Sequence, residues 1–372
     1  MKPPQPVPNI AALPLSRPFV APEELGRLAG HATLLRLGAN ESAFGPPPRA
    51  LEAMRAELPR TAWYGDPESA DLRDALALRH GCSNENIVVG AGIDDLLGLA
   101  IRAYVAPGEV AVATLGTYPT VVYHIHGYGG RFASVPYARG GAVQLDALLE
   151  RARTTHARLI YLANPDNPSG GFLPVADLRK LLDALPGETL LVLDEAYADF
   201  VAPSELLPDF IDPRVIRMRT FSKAYGLAGA RIGYALASRE TAATFNKIRL
   251  QYNVNRTAQI GALAALDEGV FIAGVIDEVA RGRADYASLA KRLGLATLPS
   301  FANFVCIDLG TRERAEAMVA TLMKNAVFVR KPSAAPIDRC IRVTVGCVEE
   351  RSLFATRFTE ALATLDANPA LP

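Results

Sequence analysis

Cysteine is scarce in this chain: Cys82, Cys306, Cys340 and Cys347 are the four present among 372 residues, and no two stand in a Cys-x-x-Cys spacing. That removes the commonest zinc-site and redox-motif readings and fits a reducing cytosol. A charge excess is missing as well, because 39 Lys and Arg face 39 Asp and Glu. Neither the basic footprint of a nucleic-acid binder nor a clustered Lys/Arg face for a membrane surface is present. No stretch reaches the roughly 18 uninterrupted apolar residues of a membrane span. The opening MKPPQPVPNI is proline-rich and lacks the apolar h-region of a signal peptide. Internal repeats and low-complexity tracts are absent beyond those first residues, which excludes a solenoid or a disordered scaffold. The expectation is a cytoplasmic protein with a loose N-terminal arm and a small molecule, not nucleic acid or membrane, as its partner.

What is present is material for a core. Half of the residues are hydrophobic, and the length exceeds one typical core, so a large domain with a smaller one is expected. From about residue 67 to 250, β-branched runs alternate with amphipathic stretches of helical length, the signature of a mostly parallel sheet covered by helices. Strands are predicted at Ile87–Val89, Val110–Val112, Leu159–Leu162, Leu190–Leu193, Val215–Met218 and Ile232–Ala235, with helices near 68–80, 94–105 and 174–184. After Asn255 the texture changes to long helical segments over about 257–293. A strand at Phe304–Ile307, a helix near 312–324 and two more strands follow, as in a smaller α+β domain. The predicted division is 1–45 as N-terminal arm and part of the small domain, 46–255 as the large domain and 256–372 as the small one.

The chemistry is concentrated in four segments: Asn164-Pro165-Asp166-Asn167-Pro168-Ser169-Gly170, Asp194-Glu195-Ala196-Tyr197, Thr220-Phe221-Ser222-Lys223, and Arg231. They sit just after predicted strands, where open α/β sheets place their ligands. An organic electron-sink cofactor needs a lysine to condense with its carbonyl and an anion against its ring nitrogen. It also needs donors on its phenolic oxygen and a clamp on its phosphate. A lone lysine is as a rule a solvated surface charge. Burial of Lys223 in a strand-end loop would lower its pKa and let a neutral amine add to a carbonyl.

Asp194, fixed by the strand before it, suits the ring nitrogen, although an aspartate there fills a helix N-cap as often. Tyr197 suits the phenolic oxygen, although an isolated tyrosine is more often packed in a core. Asn167 lies in a turn of a kind common without any ligand, and Arg231 offers a planar fork for phosphate. Gly90-Ala91-Gly92-Ile93-Asp94 joins a strand to a helix and forms a phosphate cradle without the full Gly-x-Gly-x-x-Gly fingerprint. His124 and His126 stand two apart, on different sides of a helix, so no metal is expected. Trp63 suits either a pocket lining or interface packing.

These residues resemble the fold-type I pyridoxal-phosphate aminotransferases of class I/II, most closely the histidinol-phosphate aminotransferase family. The resemblance begins at Gly38-Ala39-Asn40-Glu41-Ser42-Ala43-Phe44-Gly45-Pro46. It runs through Tyr64-Gly65-Asp66-Pro67 and ends near Arg342-Val343-Thr344-Val345-Gly346. It implies an α/β fold whose large domain holds a mostly parallel seven-stranded sheet between helices, with pyridoxal 5′-phosphate carried on Lys223. It further implies that Tyr118 stacks on the ring, and that Ser222, Arg231 and the amides of Gly92, Ile93 and Asp94 hold the phosphate. Tyr64 would reach the phosphate of a neighbouring subunit in a homodimer. Arg342 would hold a substrate carboxylate, Arg330 a substrate phosphate, and Asn40 would lie with the substrate.

The sequence departs from the family at Ser42-Ala43 for Asn-Pro, at Ile93 for a small residue, at Asp95 for Glu, and at Leu115-Gly116 before Tyr118. The implied reaction is a two-stage transamination between an amino acid or amino alcohol and a 2-oxo acid, with histidinol phosphate and 2-oxoglutarate as the expected pair. An aromatic amino acid aminotransferase, a threonine-phosphate decarboxylase-like enzyme and a non-catalytic regulatory paralogue are the alternatives.

Overall fold

The computed structural model describes residues 3–14, 20–208 and 211–367. Among the described residues twelve strands follow one another: β1 Leu35–Arg36, β2 Ile87–Gly90, β3 Val110–Thr114, β4 Arg131–Val135, β5 Leu159–Ala163, β6 Leu190–Asp194, β7 Val215–Thr220, β8 Gly233–Leu236, β9 Ala296–Thr297, β10 Phe304–Asp308, β11 Val327–Phe328 and β12 Cys340–Thr344. Seven of them form the main sheet in the order β2-β8-β7-β6-β5-β3-β4. All neighbours are parallel except at β8, which runs antiparallel to both β2 and β7.

The central strands are near-continuous apolar runs because helices cover both faces. Every residue of Leu159–Ala163 and of Leu190–Asp194 is buried. Side chains alternate between two cores. Ala111, Ala113, Tyr161 and Val192 join the helix Ile93–Tyr104 on one face. Val110, Val112, Ile160, Leu162, Leu191 and Leu193 pack with the helices Leu145–Thr155 and Val175–Asp183 on the other.

The smaller part is a three-stranded antiparallel sheet, β12-β10-β9, with the helices Gly269–Arg292, Arg312–Lys324 and Val348–Ala367. The N-terminal segment joins it through β1, which pairs in parallel with β11.

The structure departs from the sequence expectations in several places. The seventh strand of the main sheet is β4, an edge strand whose half-exposed alternation hides it among loops. The long helical segments expected after residue 255 are present as two helices, Arg256–Ala265 and Gly269–Arg292, meeting at 83°. The helix expected from 68 starts at Ala70, because the Asp66 carboxylate accepts from the Glu68 and Ala70 amides and closes the turn before it. The strand expected at 232–235 is shifted by one residue, to Gly233–Leu236. Within the N-terminal arm, Pro8–Ala11 forms one turn of helix, and Asn9 donates to the Gly127 carbonyl at 3.2 Å. No single described helix is long and apolar enough to cross a membrane.

Candidate active site

The functional side chains meet at the carboxyl ends of the parallel strands. Asp194 ends β6, opposite Ala163 of β5 and Met218 of β7. Its carboxylate is 5 % exposed. Oδ2 accepts from the Tyr161 hydroxyl at 2.7 Å and Oδ1 from the Ala196 amide at 3.0 Å. Burial pushes its pKa up to about 6, against the pull of those hydrogen bonds. Among the described residues Asp194 makes no ion pair within 4.0 Å, so this is a buried carboxylate with donors but no paired cation.

Lys223 follows β7 in the loop Ser222–Gly226. Its Nζ donates to the Asn40 carbonyl at 3.0 Å and lies 5.6 Å from the centre of the Tyr197 ring. Burial, then the charge of Arg342, lowers its pKa to about 8. A substantial share of the amine is therefore neutral near physiological pH.

The turn between β2 and the helix Ile93–Tyr104 supplies the cradle. Gly92 has φ +84°, and a Cβ there would lie 2.7 Å from Arg231 Nη2, so glycine alone lets the guanidinium approach the helix start. Arg231, itself at φ +58°, donates to the Ala228 carbonyl at 3.0 Å and to Asp94 Oδ2 at 3.4 Å. Asp94 Oδ1 accepts from the Tyr118 hydroxyl at 2.7 Å. Ser222, buried beside this turn, accepts from Thr220 Oγ1 at 2.8 Å. The Gly92 amide, expected to face the phosphate, instead donates to the Gly90 carbonyl at 2.8 Å, which leaves the Ile93 and Asp94 amides of the helix start, a guanidinium and a hydroxyl as the donor set for a phosphate.

Arg342 approaches from β12. Its Nη1 donates to Asn167 Oδ1 at 2.6 Å and Nη2 to the Gly38 carbonyl at 3.1 Å, while the guanidinium lies 5.2 Å from the centre of the Phe304 ring. Its Nε is buried without a hydrogen-bond partner, as are Ser42 Oγ and Asn303 Oδ1. Such orphans are costly in a folded protein, and inside this cleft they leave polar atoms open to a ligand; Arg158 Nε and Arg256 Nε are orphaned away from it. Arg330 is joined to Arg342 by a backbone bridge, and its Nη2 donates to the Val20 carbonyl at 3.1 Å.

Asn40, expected beside the substrate, is 2 % exposed and commits its side chain to protein groups. Nδ2 donates to the Tyr197 hydroxyl at 2.8 Å and Oδ1 accepts from Thr344 at 3.2 Å. Tyr197 is buried and meets Phe304 edge-on, with ring centres 5.5 Å apart.

The structure thus brings Lys223, Asp194, Tyr197, Asn167, Ser222, Arg231, Tyr118, Arg342 and Asn40 together. Tyr64 stands apart, 75 % exposed and stacked on Tyr252 at 4.4 Å. Trp63 is exposed beside it. Three residues of the site carried no functional signal in the sequence: Tyr161, Asn303 and Thr344. Tyr161 had one available mark, a hydroxyl in an otherwise aliphatic strand, two residues before the partner of Asp194 and so on the same face.

A part-buried lysine and a buried carboxylate beside a phosphate cradle, at the strand ends of this sheet, define a fold-type I cofactor enzyme. The family model for class I and II aminotransferases matches residues 32–355, and the chain belongs to that family. A histidinol-phosphate aminotransferase of Dechloromonas aromatica (strain RCB) is 35% identical over 335 residues, covering 88% of this chain and 90% of its own. One of Roseiflexus castenholzii (strain DSM 13941 / HLO8) is 37% identical over 352 residues, covering 92% and 94%. The crystal structure of a histidinol-phosphate aminotransferase from Sinorhizobium meliloti, in complex with pyridoxal-5′-phosphate, superposes with a TM-score of 0.93 at 44% identity. That match covers 96% of this chain and 98% of that one.

Proposed function

We propose that this aminotransferase moves the amino group of histidinol phosphate to 2-oxoglutarate, with pyridoxal 5′-phosphate as its cofactor. The observation that carries the substrate is the buried, orphaned Nε of Arg342, with Arg330 bridged beside it. Two arginines on paired strand positions offer two cationic groups for an anionic substrate. The names of the relatives at 35% and 37% identity support the same substrate.

The residues fit the cofactor on three counts: a cradle that a Cβ at position 92 would fill, a buried carboxylate without a paired cation, and an amine already shifted toward neutrality. Arg231, Ser222 and the amides of Ile93 and Asp94 would hold its phosphate, with Gly92 leaving room for it, and Tyr118 would stack on its ring. Asp194 would face the ring nitrogen, and Asn167 and Tyr197 the phenolic oxygen. Bound there, the cofactor supplies a carbonyl that takes up the amino group and a positive ring that withdraws electrons from the substrate.

The chain's own residues do the rest. Lys223 would hold the cofactor and, as a neutral amine, would move the proton at the substrate Cα. Arg342 would grip the α-carboxylate of glutamate or 2-oxoglutarate and orient that substrate, and Arg330 would take the phosphate of histidinol phosphate, which has no carboxylate. Asn40 orients the Tyr197 hydroxyl and lends its carbonyl to the Lys223 amine.

The same reading carries the division into 1–45, 46–255 and 256–372, a cytoplasmic location, and a homodimer in which Tyr64 reaches the partner's site. The exposed aromatic rings of Trp63, Tyr64 and Tyr252 support the dimer. Half-reaction spectra of the loaded enzyme with histidinol phosphate, phenylalanine, tyrosine, glutamate and threonine phosphate test the substrate. Rapid bleaching by histidinol phosphate and glutamate is expected. Bleaching by the aromatic acids but not by histidinol phosphate, or release of carbon dioxide from threonine phosphate, would replace this reading by the corresponding alternative.

A further inference from the structure

We infer that Tyr161 is a positioning residue for the cofactor's ring, acting through Asp194, whose carboxylate its hydroxyl fixes in orientation and in charge. This rests on the reading above, in which Asp194 faces the ring nitrogen. Tyr161 is 1 % exposed and sits among apolar neighbours, including Ala113, Val192 and Met218. A phenylalanine would fill that volume equally well, so the hydroxyl needs its own account. Its one hydrogen bond, 2.7 Å long, goes to Asp194 Oδ2. The strand register sets that contact, because Ala163 pairs with Asp194 and Tyr161 lies two residues earlier on the same face.

The other Asp194 oxygen is held by the Ala196 amide at 3.0 Å, so the two donors clamp the carboxylate in one rotamer. A hydrogen bond to a carboxylate favours its charged form. Around Asp194 the ionisable groups are Tyr161 from β5, Asp94 and Tyr118 from the helix-start side, Lys223 from the loop after β7, and Tyr197. Asp94 opposes the negative charge and Lys223 supports it, but among the groups that offset burial Tyr161 contributes most. Without its hydroxyl the carboxylate protonates at higher pH, and a neutral acid no longer holds a protonated ring nitrogen.

The test is the pH dependence of pyridoxal-phosphate affinity, measured by titrating full-length apoprotein and following the visible absorbance, for wild type and Tyr161→Phe. The acid-side midpoint is expected near pH 6 in the wild type and about one unit higher in the variant, with roughly tenfold weaker binding below both midpoints. Above pH 8 the two proteins should bind within about threefold of one another. A loss of affinity equal at every pH, with an unmoved midpoint, would make Tyr161 merely structural and overturn the inference.

Asp194→Asn is the control that separates the two readings. If it leaves cofactor affinity and spectrum unchanged, the assignment of Asp194 itself falls. If it weakens binding while Tyr161→Phe does not shift the midpoint, only the role of Tyr161 falls. In the Asp194→Asn background, adding Tyr161→Phe should change affinity by less than about twofold, since the coupling runs through the carboxylate. Independent effects of the two changes would also overturn the inference. Thermal unfolding of the apoproteins identifies a variant that fails to fold, and 15N NMR of ring-labelled cofactor on wild type then decides. A nitrogen still protonated at pH 7 and deprotonated by Asp194→Asn supports the role of Asp194 on which the inference rests, and 3-fluorotyrosine at position 161, a stronger donor of the same shape, should then lower the acid-side midpoint; an unmoved midpoint, or an unprotonated wild-type nitrogen, overturns the inference.

Discussion

Asp194 and Glu195 are adjacent in the chain, equally buried, and opposite in electrostatic character. Glu195 lies on the far face of the sheet, where Oε1 accepts from Arg217 Nη2 at 2.9 Å and Oε2 from Arg217 Nε at 3.1 Å and Arg219 Nε at 2.9 Å. Burial pushes its carboxyl up, yet Arg219 and Arg217 hold it below the ordinary glutamate value. Asp194 has hydroxyl and amide donors alone, and burial leaves it well above the ordinary aspartate value. A buried charge with partners that neutralise it serves the fold; one left without them is paid for in stability and reserved for a ligand. Lys223 and Arg342 belong with Asp194 on the second side of that divide.

The sharpest test of the division is at Lys223. Lys223→Ala should lower turnover by about 10⁴-fold or more and abolish the visible absorbance of the loaded enzyme, with the apoprotein still folded by circular dichroism. A variant of normal turnover and spectrum would dismantle the site assignment. On the paired side, Glu195→Ala removes the carboxylate shared by the buried Arg217 and the partly buried Arg219 and should destabilise the protein by about 3 kcal/mol, read as a lowered unfolding midpoint in urea. A destabilisation under about 1 kcal/mol would mean that the cluster is solvated and the contrast false.

Asp194→Asn should act in the reverse sense on the apoprotein. The folded pKa lies above the unfolded one, so this group's contribution to stability is complete below pH 3.8 and is lost as pH rises through about 6. At pH 7 the substitution should therefore stabilise the apoprotein, by about 3 kcal/mol at most for a shift of some two pKa units, while weakening cofactor binding. The difference between wild-type and variant urea midpoints should open between pH 4 and 6 and stay constant above. The smallest effect belongs to the partly exposed Asp94–Arg231 pair. Asp94→Asn should change apoprotein stability by less than about 1 kcal/mol, again measured in urea, because water screens both partners.

Much of this site is legible in the sequence because chemistry and location coincide there. Lys223, Asp194, Asn167 and Gly92 follow recognisable strands, and a parallel sheet gathers strand ends from distant parts of the chain. Features that depend on tertiary contact are not legible. Tyr161 reads as one more strand residue until the register of β5 against β6 is known. Asn40 reads as a substrate contact, whereas its side chain is occupied by Tyr197 and Thr344 from distant segments. The strand β4 escapes because an edge strand needs apolar residues on one face only. The long helical segments expected over about 257–293 are present, but the place of the break between Ala265 and Gly269 is not fixed by the pattern because both helices carry apolar faces.

The carbonyl that receives the Lys223 amine belongs to Asn40, a residue at φ +55°. A left-handed turn near the chain's beginning is thus wired to its chemical centre. Trimming the first 45 residues would spare every strand of the seven-stranded sheet, yet leave the amine without its docking point and Tyr197 without its tether. An apparently dispensable leading segment would then prove as costly to lose as the lysine's own strand.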